Sequence, residues 1–210
     1  EPAIKSLGQW WDKSSLDFEP LPDKRLYHLD GTASYTDQEG NISSKVYDGS
    51  ASLVVRQARF TNYLNYRINY YVQALAGNRG SIKLEKHDFQ DTIRFDIKKF
   101  LYVNLGYIWT RDDTKFIHSR NTPYLGLGSH LFNSPKQDHN IFFGLGYEVK
   151  KYTIDVPDVD SLIWLVMQDW SWQISEAVRF LENTSYLGYF GENKTYRWSL
   201  STALEFKLGN

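Results

Sequence analysis

From residue 26 onward, apolar and polar residues alternate with period 2 along most of the chain. That is the pattern of strands whose successive side chains point to opposite faces. The last run is the clearest. Tyr196, Trp198, Leu200, Leu204, Phe206 and Leu208 share one face; Arg197, Ser199, Ser201, Glu205 and Lys207 share the other, with Thr202 and Ala203 as weak points. Leu101, Val103, Leu105, Tyr107 and Trp109 oppose Tyr102, Asn104, Gly106 and Thr110, with Ile108 as an exception. Ile141, Phe143, Leu145, Tyr147 and Val149 oppose Gly144, Gly146, Glu148 and Lys150, and Leu64, Tyr66, Ile68, Tyr70 and Val72 oppose Asn65, Arg67, Asn69 and Gln73. Ile93, Phe95 and Ile97 oppose Arg94, Asp96 and Lys98; Leu162, Trp164, Val166, Trp170, Trp172 and Ile174 share a face; residues 177–190 are mixed.

Turn chemistry separates these runs at Asp37 to Asn41, Gly77 to Gly80, Asp112-Asp113, Asn133-Ser134-Pro135, Asp155 to Asp160 and Gly191 to Asn193. The spacing predicts an all-β chain of about ten long strands, in a range of eight to twelve. Many reach the ~9–11 residues that a tilted membrane strand needs. Residues 1–24, with Pro2, Pro20, Pro22 and the pair Trp10-Trp11, show no sustained alternation. They read as an irregular N-terminal segment, a tail, plug or docking peptide, ahead of a barrel over residues 25–210. Trp10 and Trp11 are its candidate partner anchor, because Trp is enriched at interface hot spots.

Alternation does not say which face points outward. A soluble ligand-binding barrel turns its apolar face in, and a membrane barrel turns it out. The polar face carries charges of both signs, Arg56, Arg67, Arg94, Asp96, Glu148, Lys150, Asp169, Arg197 and Glu205, together with Gly106, Gly126, Gly128, Gly144 and Gly146. Glycine opposite large apolar residues suits a crowded interior in which charged side chains need room to pair. On the apolar face Tyr107, Trp109, Trp164, Trp172, Tyr196, Trp198 and Phe206 fall near strand ends, where an interfacial aromatic girdle would lie. Both features favour an antiparallel up-and-down transmembrane β-barrel, with the charges inside.

Composition agrees. The 210 residues include 15 Tyr, 12 Phe and 7 Trp, a high aromatic share for a chain of negative mean hydropathy. The net charge of −1 gives no basic field for nucleic acid, and the absence of cysteine excludes disulfides and thiolate metal sites. The best uncharged run, Ser161 to Gln168, falls far short of the ~20 residues of a membrane-spanning helix. No signal peptide is visible at Glu1; a numbering that starts at the mature chain would have lost one.

Leu29-Asp30-Gly31-Thr32-Ala33-Ser34-Tyr35, followed by Gly40-Asn41, resembles the salt-induced outer-membrane protein family, whose members carry a Gly-Asn turn after the first strand. Phe143-Gly144-Leu145-Gly146-Tyr147-Glu148 is similar to that family's Gly-x-Gly-Tyr strand, and the run through Trp198 and Phe206 to its closing strands. The resemblance covers about residues 26–208. It implies a Gram-negative outer-membrane β-barrel of uncharacterised function, induced by salt in some members, with no catalytic residues to carry over. One departure stands out: outer-membrane barrels usually end on an aromatic, whereas Phe206 is followed by Lys207-Leu208-Gly209-Asn210.

Enzymatic and metal chemistry find little support. Of His28, His87, His118, His130 and His139, His118 is adjacent to a serine, Ser119, and neighbours on a strand point to opposite faces. Asp155, Asp158 and Asp160 match no calcium-loop spacing, and Gly144-x-Gly146 precedes no helix. The Asn-x-Ser/Thr triplets at Asn41, Asn183 and Asn193 carry no meaning in a bacterial outer membrane. The expectation is a non-enzymatic outer-membrane barrel, without cofactor or metal, in contact with lipid. Its role would be structural, anchoring or stress-related, and other envelope proteins would meet it through residues 1–24 or the barrel wall. A narrow channel for small solutes is the alternative; balanced charges would tend to pair across so small a lumen and block it.

Overall fold

A computed structural model describes residues 14–17, 21, 23–38, 43–74, 81–134, 136–175, 177–191 and 196–206. Trp10 and Trp11, the Gly40-Asn41 and Gly77–Gly80 turns, and residues 207–210 lie outside the described residues. Ten strands follow one another: β1 (Leu26–Gln38), β2 (Ser43–Gln57), β3 (Phe60–Ala74), β4 (Ser81–Lys98), β5 (Leu101–Asp112), β6 (Ile117–Asn133), β7 (Gln137–Tyr152), β8 (Val159–Gln173), β9 (Val178–Tyr189) and β10 (Tyr196–Phe206). The helical elements among the described residues are two single 3-10 turns, Ser15–Asp17 and Asp113–Lys115. No described helix is long and apolar enough to cross a membrane.

Each strand pairs antiparallel with its sequence neighbours, giving one sheet in the order β1 to β10, the up-and-down barrel topology expected from the alternation. β1 and β10 are the two edges of this sheet, and no pairing joins them among the described residues. The ends alternate between tight turns and longer connections. Ala58-Arg59 and Lys99-Phe100 make two-residue turns at the end where β1 begins and β10 finishes. Register shifts at Asp96/Lys98, Thr110/Asp112, Ile117/Ser119 and His130/Phe132 add local twist and curvature.

Contacts that skip strands show which face is concave. Arg94 on β4 reaches His130 on β6, Thr92 on β4 meets Tyr124 on β6, and Arg197 on β10 reaches Glu148 on β7. That face carries the polar half of the alternation. Arg56, Asp96 and Glu148 are almost wholly buried, whereas Leu105, Leu125, Leu127, Phe143 and Leu145 on the convex face are each more than half exposed. A soluble barrel shows the opposite sense.

The concave face also holds something the charge pattern does not announce. Tyr102, Tyr124, Phe142, Ile163 and Leu165 form a buried apolar cluster, with Ile108, Met167 and Leu187 packed against it. The concave glycines make room for these rings rather than for charged pairs. A Cβ at Gly106 would strike the Tyr124 ring, one at Gly128 the Tyr102 ring, and one at Gly126 the Phe142 ring and the β7 backbone. The Gly126 case is the most severe, since backbone cannot swing aside. Gly126→Ala is expected to cost about 1–3 kcal/mol by overpacking, read from denaturant unfolding. An unchanged midpoint would show that β6 and β7 sit further apart than described.

Candidate functional site: the interior of the barrel

Two polar networks flank the apolar cluster. The lower one lies toward the tight-turn end. The Arg94 Nε donates to the Asp96 carboxylate at 2.6 Å, its guanidinium lies 2.8 Å from His130 Nε2, and its plane covers the Tyr102 ring at 4.5 Å. Planar delocalised charge suits this double role of ion pairing and stacking. Alternation along β4 aims Arg94 and Asp96 to the same face, two residues apart, while the curvature brings His130 across β5.

The upper network centres on Glu148. Its carboxylate accepts from Arg197 at 2.8 Å, Thr122 at 3.4 Å and the Tyr189 hydroxyl, and Arg120 stands 3.7 Å away. One carboxylate thus ties together β6, β7, β9 and β10. Such a carboxylate uses its several acceptor sites at once, which is how a buried charge avoids the full desolvation penalty.

Between these networks a cavity of about 1060 Å³ opens toward the tight-turn end. Asn65, Gln90, Arg94, Asn104, Asp169 and Ser201 contribute to its wall. Amides and hydroxyls dominate, so it offers hydrogen bonds rather than a strong field of one sign.

The other interior candidates are more open. Arg67 and Asp169 lie on the concave side but are exposed, and Lys150 is half-buried with its ammonium 5.2 Å from the Tyr152 ring. Arg197 keeps two-fifths of its side chain exposed despite its bond to Glu148; Glu205 is more exposed still and faces Arg179 at 3.8 Å.

The aromatic candidates lie on the convex face in two groups. Toward the longer connections, Trp109 neighbours His87, Trp164 stacks on Tyr186, and Tyr186 stacks on Tyr196, while the Tyr107 hydroxyl donates to Asn121. Trp198 is exposed one step below Tyr196 on the same face. Toward the tight turns stand Trp172, stacked on Trp170, and Phe206. Phe60, Phe95, Phe132 and Phe180 extend this second group beyond the girdle residues expected from the alternation. Two pairs of polar exceptions on the convex face are hydrogen-bonded, Asn62 with Asp91 at 2.6 Å and Gln168 with Glu182 at 3.2 Å.

His118 is exposed beside the half-buried Ser119, and Asp155, Asp158 and Asp160 are exposed, Asp160 accepting from the Tyr147 hydroxyl. No group of three or more His, Cys, Asp or Glu among the described residues is placed to hold a metal ion.

Ten antiparallel strands in sequential order, curved around a polar interior, define a protein of the β-barrel class. The family model described as "Protein of unknown function, DUF481" matches residues 31–210, and the chain belongs to that family. No curated protein and no solved structure matched the chain.

Proposed function

We propose that the chain is a non-enzymatic integral β-barrel of a bacterial outer membrane, structural or anchoring in role, with a filled rather than an open lumen. The observation that carries this reading is the inside-out sense of the sheet: buried ionic networks on the concave face and exposed leucines between two aromatic groups on the convex one. Trp164 and Trp172 are eight residues apart on β8, and Tyr196 and Phe206 ten apart on β10. At ~3.3 Å per residue and a tilt of ~40°, these separations span roughly 20–25 Å along a membrane normal, matching the ~25 Å apolar band of outer-membrane barrels.

The same physics bears on the edges. Unpaired backbone is not tolerated in hydrocarbon, and an even strand number makes β1 and β10 run in opposite directions, so an antiparallel seam between them completes the barrel in lipid. The likeness to salt-induced outer-membrane proteins adds an envelope-stress setting to this proposal. The test is extraction and gel behaviour. The folded protein should require detergent and migrate differently on an unheated gel than after boiling. A chain that stays monodisperse in buffer without detergent would sink the reading.

The filled interior makes a second expectation. In planar bilayers the pure protein should show no large, steady conductance, because Tyr102, Tyr124 and Phe142 occupy the middle of the concave face and Glu148 with its arginines closes the upper part. A stable open state of porin size would contradict the filled lumen while leaving the membrane assignment intact.

A further inference from the structure

Residues 14–17 meet Asp96 on β4, Asn133 on β6 and Lys99 in the β4–β5 turn, although only eight residues, 18–25, separate them from the start of β1. Their sequence, Ser-Ser-Leu-Asp, makes a self-capped turn: the Ser14 hydroxyl accepts from the Leu16 N–H at 3.2 Å, and the Asp17 N–H donates to the Ser14 carbonyl at 3.1 Å. Serine at such a position satisfies donors the short turn leaves open. This turn is not packed on the outside of the barrel. Ser14 and Ser15 are wholly buried. The Ser15 backbone N–H donates to the Asp96 carboxylate, on the side of that group away from Arg94 Nε. Asp17 accepts from Asn133 at 2.7 Å at the foot of β6, stands 3.8 Å from Lys99 in the β4–β5 turn, and contributes to the wall of the 1060 Å³ cavity.

We propose that residues 14–17 are an internal plug, seated in the tight-turn mouth of the barrel and latched at two points, its buried backbone on Asp96 and its half-buried carboxylate on Asn133 and Lys99. The plug narrows the polar cavity from below, as the Glu148 network does from above. Asp96 is pre-paired with Arg94 and therefore stays a charged acceptor in a buried place, which a neutral residue would not. The latch formed by Asp17 lies at the rim, where it can open without disturbing the barrel core. These contacts lie within the chain and hold whether or not the barrel sits in a membrane.

Thiol labelling of the full chain tests it. The protein has no cysteine, so Ser15→Cys introduces the sole thiol, a near-isosteric change at a buried position. The probe is a small water-soluble methanethiosulfonate, and the reference is Ser175→Cys in an exposed turn at the same end of the barrel. The plug should make Ser15→Cys react at least about a hundredfold more slowly than Ser175→Cys, since modification must await local opening. Adding Asp17→Ala should raise the Ser15→Cys rate roughly tenfold, equivalent to ~1.4 kcal/mol, with the circular-dichroism strand signal unchanged. Equal rates for the two single thiols in folded protein would overturn the plug. A protected thiol indifferent to Asp17→Ala would overturn the two-point latch. If Ser15→Cys does not fold, Asp17→Cys with Asn133→Cys supplies the second arm: mild oxidation should cross-link them, and failure to do so in folded protein would refute the seat.

Discussion

Glu148→Ala should be among the most destabilising single substitutions in the barrel, costing about 3 kcal/mol or more of unfolding free energy. Glu148 is 1% exposed and is the common acceptor for Arg197, Thr122 and Tyr189, with Arg120 close by. Removing one partner of a buried ion pair typically costs ~3–5 kcal/mol, because the charge left behind has lost its counter-ion and not its desolvation. The lower end of that range applies, since Arg197 is 41% exposed and can turn toward water, whereas Arg120, 13% exposed, cannot do so as freely. Arg197→Ala should accordingly cost clearly less than Glu148→Ala, because Glu148 keeps its other partners. Guanidinium unfolding followed by tryptophan fluorescence gives both numbers. Equal and small effects, below about 1 kcal/mol, would mean that water reaches the network and that it does not close the upper interior.

The strands were legible because burial on one side imposes a period of two, and Leu101–Trp109, Ile141–Val149 and Tyr196–Phe206 obey it almost without a break. Their departures have physical reasons. Ile108 interrupts β5 because it packs on the concave apolar cluster, and Ile163, Leu165 and Met167 make the β8 run apolar on both faces at the same height. Residues 177–190 read as mixed because β9 mixes both faces: it pairs Glu182 with Gln168 on the convex side and sends Leu187 toward the cluster. The turns Ala58-Arg59 and Lys99-Phe100 carried no signal at all. Neither contains Gly, Pro, Asn or Asp, and Ala58 adopts the left-handed region, φ 50°, without the residue type that usually announces it.

The interior was legible as a face and not as a set of contacts. Alternation alone sends Arg94, Asp96, Glu148 and Arg197 to one side. That Arg197 meets Glu148, 49 positions away, depends on the curvature of four strands, which no local pattern encodes. The concave glycines correctly signalled crowding, but the occupants are tyrosine and phenylalanine rings. Those rings lie two or four residues from glycines on their own strand, as in Tyr124-Leu125-Gly126 and Phe142-Phe143-Gly144, and this spacing was a readable cue, whereas the pairing of Tyr102 and Tyr124 directly opposite Gly128 and Gly106 was not. Ser14–Asp17 had none: four residues without periodicity do not reveal that they are buried.

Leu125→Arg is the substitution that separates a lipid-facing wall from a wetted one. Leu125 sits on the convex face in a row with Leu105 on β5 and Leu145 on β7, each more than half exposed, between the two aromatic groups. In water an exposed leucine gives up little when replaced by arginine, and surface changes of that kind usually stay within ~0.5 kcal/mol. At the middle of a bilayer the guanidinium must instead be dragged from water into hydrocarbon, at about 2–4 kcal/mol for a β-barrel wall. Arg at Tyr196, in the aromatic group near the rim, should cost only ~0–1 kcal/mol, since its charge can reach the interface. The measurement is reversible unfolding in phosphatidylcholine vesicles, repeated in detergent micelles, where the depth dependence should shrink because a micelle deforms around a charge. A large cost for Leu125→Arg and a small one for Tyr196→Arg in vesicles is the signature of a membrane-embedded convex face. Equal, small costs at both positions would place that face in water. The aromatic groups would then be a protein-docking surface rather than a girdle.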